Sequence, residues 1–254
     1  MLWEIAGVSE VTPPVDVYVD FDGTIAPAEP TDALFDRFAD PSWRTIDQAW
    51  QAGRLTSWEA TAQNVALLRA TPQELAGFLR TVRVDPAFPA FVALCRRNGT
   101  RVTVVSDGLD LVLRTVLGAA GIDLPCFANR LVWLGGNRWE ARFPFRRTDC
   151  RFQMGNCKCA HRRRTTTALN VMVGDGRSDF CIAERCQLVV AKGSLLRRCR
   201  ENGLAHLAML NFADACRGFS RWLAASAPMP RAHSHSCPAP RRCKQACEPQ
   251  PRRK

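Results

Sequence analysis

No apolar run in this 254-residue chain reaches the roughly 18 residues that a membrane span needs, so no membrane contact is expected. The opening segment MLWEIAGVSEVTPPV lacks a basic region and carries Glu4 inside its short apolar stretch, and it does not read as a signal peptide. There is no internal repeat, which argues against a solenoid or an array. Net charge is +11, but more than half of the excess is local. After Leu223 the chain carries Arg231, Arg241, Arg242, Lys244, Arg252, Arg253 and Lys254 against one acid, Glu248. The remainder has an ordinary balance for a protein that handles anionic substrates, and nucleic-acid binding does not follow from charge alone.

Cysteine, by contrast, is abundant, with twelve residues. Cys95, Cys181, Cys186, Cys199 and Cys216 fall in apolar helix-like or strand-like segments and read as ordinary buried thiols. A reduced, cytoplasmic protein is the simpler expectation.

Val15–Asp20 is β-branched and apolar and predicts a buried strand. Residues 31–81 turn helical: Leu34, Phe35 and Phe38 share a face, Val65, Leu67 and Leu68 follow Ser57, and Thr71-Pro-Gln-Glu74 has the form of a capping box. Ala87–Arg97 predicts a helix closed by Asn98-Gly99, Arg101–Ser106 a second buried strand, and Leu109–Leu117 another helix. Residues 126–145 are strand-like, with a hairpin turn at Gly135-Gly136-Asn137. Asn170–Gly174 and Gln187–Ala191 predict two more core strands. Strands alternating with helices imply an α/β fold, a Rossmann-like doubly wound parallel sheet covered on both faces. From about Ser226 the chain is rich in Pro, Arg, His and Cys and reads as a disordered basic tail.

Three predicted strands end in polar groups: Asp20 and Asp22, Ser106 and Asp107, Asp175 and Asp179. Ligands of an open parallel sheet bind beyond the carboxyl ends of its strands, so the three sets should meet in one crevice. Carboxylates gathered there would repel one another, and an oxygen-only set suits Mg2+. The plainer alternative, that each acidic pair only caps the next helix, becomes improbable at three successive strand ends.

These residues resemble the haloacid dehalogenase superfamily of phosphatases. The four motifs are Val-Tyr-Val-Asp20-Phe-Asp22-Gly-Thr24, Val-Thr-Val-Val-Ser106, a lone lysine best matched by Lys158, and Met-Val-Gly-Asp175-Gly-Arg-Ser-Asp179. The resemblance runs from residue 15 to about 212. It implies that Asp20 attacks phosphorus to form an aspartyl-phosphate and that Asp22 serves as general acid and then base. It also implies Mg2+ held by Asp20, the carbonyl of Asp22 and Asp175, with Asp179 nearby. Ser106 and the amides of Asp107 and Gly108 would bind phosphate, with Thr24 grouped among them. Lys158 would offset the charge of Asp20; Lys192, after the fourth motif, is its competitor.

The same likeness makes residues 26–85 a helical C1-type cap inserted into a core of residues 1–25 and 86–224, leaving 225–254 as tail. Candidate cap contacts are Glu29, Trp43, Arg44, Trp50, Arg54 and Trp58, although the tryptophans are better explained by packing within the cap. Glu29 stands where phosphoserine phosphatases carry an acid for the substrate amine. Trp43, Ser57-Trp-Glu59, the approach Asp149-Cys150 to Asn156-Cys157-Lys158, and Ala191-Lys192 with Leu195-Leu196 and Cys199-Arg200 are similar to phosphatases acting on 2-hydroxy-3-keto-5-methylthiopentenyl-1-phosphate. Phosphoethanolamine/phosphocholine phosphatases share the Asn-x-Cys-Lys approach and the string Gly174–Cys181.

Cys150, Cys157, Cys159 and His161 could bind zinc, but C-x6-C-x-C-x-H is not a common zinc pattern, and a loop beside the site is the better reading. Arg162-Arg-Arg164 reads as a solvated helix start, and His233, His235, Cys237, Cys243 and Cys247 receive no function. The expected partner is a small phosphorylated metabolite, met by a monomer or homodimer. A phosphoryl-accepting regulatory domain would lack Asp22 and the large insert, and a non-catalytic binding protein would not keep every catalytic position filled.

Overall fold

A computed structural model describes residues 13–162 and 168–226. Its centre is a seven-stranded sheet in the order β4-β3-β2-β1-β5-β6-β7. The strands are β1 (Val15–Val19), β2 (Arg101–Leu109), β3 (Cys126–Gly135), β4 (Arg138–Arg142), β5 (Leu169–Gly174), β6 (Leu188–Ala191) and β7 (His206–Ala208). All neighbours run parallel except the β3–β4 hairpin. The central strands are runs of valine because both of their faces are covered. Val17 and Val19 join a cluster with Phe91, Phe212 and Phe219 on one face, whereas Tyr18, between them, packs with Met172, Ile182 and Leu195 on the other.

The covering helices are α5 (Phe88–Arg97), α6 (Asp110–Ala119), α7 (Phe180–Ala183), α8 (Gly193–Glu201) and α9 (Phe212–Ser226). Between β1 and α5 the chain forms α1 (Pro30–Phe38), α2 (Trp43–Gln51), α3 (Ser57–Ala66) and α4 (Pro72–Leu79). The expected capping box at Thr71 and Glu74 is present, and a second one at Thr56 and Glu59 starts α3. Asp85 marks the chain's return to the sheet. Its buried carboxylate accepts the amides of Ala87 at 2.8 Å and Phe212 at 3.1 Å, tying the starts of α5 and α9 together.

The β3–β4 hairpin leans on the helical insertion, with the Trp139 indole donating to the Ala70 carbonyl at 2.7 Å. Helix α9 runs through Ser226, and the rest of the expected tail, with its histidines and cysteines, lies outside the described residues. Arg162 closes a 3-10 turn (Lys158–His161) in an extended conformation, and Arg163 and Arg164, of the expected helix start, lie outside the described residues.

Candidate active site

Asp20 directly follows β1, Ser106 to Gly108 lie in the last turn of β2, and Asp175 follows β5. Because these strands are adjacent and parallel, their carboxyl ends open on one cavity of about 270 Å³. Asp20, Asp22, Glu29, Ser106, Asp107, Gly108 and Asp175 line it. Thr24, Lys158 and Asp179 are fully buried behind that lining.

The Lys158 ammonium lies 2.6 Å from Asp20 Oδ1, 2.5 Å from Asp179 Oδ1 and 2.9 Å from Ser178 Oγ. Lys192 instead sits at the start of α8, its amide on the Gly174 carbonyl at 3.1 Å. Asp179 is satisfied on its other oxygen by the amides of Asp175 and Gly176, each at 3.1 Å. It therefore holds both the lysine and the turn that presents Asp175. Thr24 donates to Asp175 Oδ1 at 2.8 Å, so its hydroxyl faces that carboxylate and not the cavity. Gly23, at φ 71°, is required here, since a Cβ would come within 2.7 Å of Asp175 Oδ2.

Burial raises the pKa of Asp20 well above the usual carboxylate range. Asp179 and Asp175 add to the shift, and Lys158 opposes it. Burial raises Asp175 likewise, reinforced by Asp179. Asp22 is raised chiefly by burial, against the Thr31 amide that donates to its Oδ1 at 3.0 Å. A buried carboxyl that keeps its proton more readily is suited to donating one. Ser106 Oγ stands 3.4 Å from Asp22 Oδ2 and accepts the Gly108 amide at 2.9 Å.

Asp107 lines the cavity, and the role expected of it belongs to its amide. Its carboxylate is turned inward, accepting the Asn156 amide at 2.6 Å, the Ser57 hydroxyl, and Asn129 Nδ2 at 3.3 Å. Asn156 in turn donates to the carbonyls of Ser106 at 2.7 Å and Phe127 at 2.9 Å. The sequence assigned no such contacts to Asn129, Ser57 and Ser178, because each acquires its partner only when distant segments close.

Of the candidate contacts in the helical insertion, Trp50 and Glu29 line the cavity. Trp43 is buried against Phe35, Arg44 pairs with Asp36, and Trp58 packs on Phe143 with Arg146 over its ring. Glu29 has a left-handed backbone, φ 48°, a strained setting at the cavity edge. Asp32 and Asp47 join it there, an acidic wall that sequence inspection missed.

A cation fits the opposite side. Asp20, Asp175 and Asp179 each offer a carboxylate oxygen, all within 4.8 Å of one another. The donors are hard oxygens, and the mutual repulsion that raises Asp20 and Asp175 is what a divalent ion would relieve.

A Rossmann-like sheet whose strand ends bring together a lysine-paired aspartate, a second carboxyl two residues on and a serine defines an aspartate-based hydrolase. A model of the haloacid dehalogenase-like hydrolases matches residues 17–184, and the chain belongs to that family. It is an enzyme of the phosphatase type. The 2-hydroxy-3-keto-5-methylthiopentenyl-1-phosphate phosphatase of Exiguobacterium sp. is 30% identical over 203 residues, 78% of this chain and 94% of that protein. Its namesake from Geobacillus kaustophilus is 27% identical over 218 residues, 81% and 95% of the two chains.

Among solved structures, a phosphoserine phosphatase with a phospho-aspartyl intermediate analogue matches with a TM-score of 0.59 at 18% identity. It covers 82% of this chain and 99% of that one. The phosphoserine phosphatase of T. onnurineus gives 0.60 at 19%, covering 84% and 98%. These structures share the fold. Phosphatases of the family generally use magnesium, and no described helix is long and apolar enough to cross a membrane.

Proposed function

We propose that the chain is a magnesium-dependent phosphomonoester hydrolase working through an aspartyl-phosphate on Asp20. The observation that carries this reading is the buried Lys158 bridging Asp20 and Asp179 at the edge of a cavity that also holds Asp22 and Ser106. Lys158 orients the Asp20 carboxylate and offsets charge as its oxygen bonds to phosphorus and the ester oxygen departs. Asp22, whose pKa burial raises, gives that oxygen a proton and afterwards takes one from the water that opens the intermediate. Ser106 and the Asp107 and Gly108 amides hold the phosphate oxygens. Asp20, Asp175 and the Asp22 carbonyl would hold magnesium, with Asp179 bracing them. Bound there, it would screen the carboxylates from the incoming phosphate.

Helices α1–α4, within residues 26–85, serve as a C1-type cap that closes over the substrate. The substrate is a small phosphorylated metabolite met in the reducing cytoplasm. The relatives' names favour an enol phosphate of the 2-hydroxy-3-keto-5-methylthiopentenyl-1-phosphate type. The wall of Glu29, Asp32 and Asp47 favours a second reading, a phosphomonoester with an ammonium group such as phosphoserine, phosphoethanolamine or phosphocholine.

Phosphate release from these four esters, with and without magnesium, tests both readings. Native protein should turn over one ester only with magnesium, and Asp20→Asn should not. Magnesium-independent release, or release that survives Asp20→Asn, would sink the mechanism, and the preferred ester decides the substrate.

A further inference from the structure

Behind Lys158, away from the substrate cavity, four cysteines meet. Cys150, Cys157, Cys159 and Cys181 line one small cleft there. The Cys159 and Cys181 sulfurs are 2.8 Å apart. Cys150, Cys157 and Cys181 are buried, and Met154 and Phe152 pack around them. His161 does not belong to this group. Its Nε2 is engaged with Asn156 Oδ1 at 2.7 Å, its ring stacks on Phe127 at 4.4 Å, and burial lowers its pKa to about 4. The sequence places Cys157 and Cys159 one residue apart, an awkward pair for one ion. The turn resolves this, because Lys158 between them points the opposite way, to Asp20. Cys181, too far along the chain for a local pattern to include, supplies the fourth sulfur.

We propose that Cys150, Cys157, Cys159 and Cys181 form a tetrathiolate site for a structural zinc ion. Four sulfurs converging from the 150–159 loop and from α7 match the closed, all-cysteine sites in which zinc is tetrahedral. Tetrahedral ligands about 2.3 Å from zinc stand about 3.8 Å apart, so the Cys159–Cys181 pair opens by about 1 Å on binding. Zinc displaces the thiol protons to solvent, leaving a centre with a net charge of about −2. The surroundings suit that charge: Arg147, Arg162 and Arg185 line the same small cleft, with Asp149 as the one acid among its lining residues.

The site would act on catalysis by position. Two of its ligands flank Lys158, and Cys181 lies two residues beyond Asp179, so one ion would fix from behind both ends of the buried Lys158–Asp179 pair. It is independent of the acidic cluster and of the choice of substrate.

Metal analysis of the full-length native chain, passed over a weak chelator, decides the matter. About one zinc per chain is expected, and zinc K-edge absorption should fit four sulfurs at about 2.3 Å. Cys181→Ser should lower the zinc content at least about tenfold, whereas Cys216→Ser, on α9 and outside the cluster, should retain it. Protein without zinc, a nitrogen- or oxygen-containing shell such as the tail histidines would give, or a Cys159–Cys181 disulfide on non-reducing peptide mapping would overturn the proposal. The absorption measurement uses native protein and stands even if Cys181→Ser fails to fold.

Discussion

Lys158 reaches Asp20 across 138 residues of sequence, its ammonium 2.6 Å from the carboxylate and both groups buried. The same ammonium holds Asp179, and it opposes the rise that burial and the neighbouring carboxylates give the Asp20 pKa. Removing one partner of such a network leaves buried charge unpaired. Lys158→Met is therefore expected to abolish turnover and to cost about 3–5 kcal/mol of stability. Urea unfolding with phosphate release checks both. A variant that keeps native stability would show that the carboxylates are hydrated and that the lysine is not their counter-ion.

Gly108 has no room for a side chain. A Cβ there would sit 2.5 Å from Asp22 Oδ2, 2.9 Å from Thr31 Oγ1 and 3.1 Å from Ser106 Oγ. Its backbone needs no left-handed angle, so the obstacle is the neighbouring site and not the chain itself. Gly108→Ala should displace Asp22 and lower kcat by about 100-fold, with little change in Tm. A large fall in Tm with normal kcat per folded molecule would show instead that the contact serves folding.

Local signals explain what the sequence made visible. Valine runs marked β1, β2 and β5 because central parallel strands are apolar on both faces, and Gly135-Gly136-Asn137 marked the hairpin through its turn chemistry. Strand ends then place Asp20, Ser106 and Asp175 around one cavity, and the structure has them there. Partners that depend on closure of distant segments stayed hidden: Ser57 on Asp107, Asn156 on the Ser106 carbonyl, Cys181 beside Cys157. Asp32 and Asp47 carry no local mark of a site, and only the placement of α1 and α2 turns them toward the cavity. Strand β7, three residues long, is too short to show a period.

The raised pKa of Asp22 gives a kinetic prediction. If this carboxyl serves both halves of the reaction, Asp22→Asn should lower turnover by about 10²–10⁴-fold. It should also leave acid-stable label on the protein after quenching with a phosphorus-labelled ester, whereas Asp20→Asn should hold none. Label on Asp20→Asn would place the nucleophile elsewhere. An Asp22→Asn variant as fast as native would remove Asp22 from proton transfer.

Asp32 sets a pH dependence. Burial first, then Glu29, Asp47 and Asp22, push its carboxyl up to about 7. Below that pH it is protonated and the acidic wall loses one negative charge. Above it Asp32 is ionised and the wall attracts a cation more strongly. An ammonium-bearing ester should therefore show KM falling as pH rises through about 7. Asp32→Asn should flatten that slope and raise KM at high pH while leaving kcat nearly unchanged. An ester without positive charge should show the opposite tendency, its KM rising as the wall ionises, because the added charge repels its phosphate. The sign of the slope thus separates the two substrate classes, and a KM that ignores both pH and Asp32→Asn would show that the bound ester does not reach this wall.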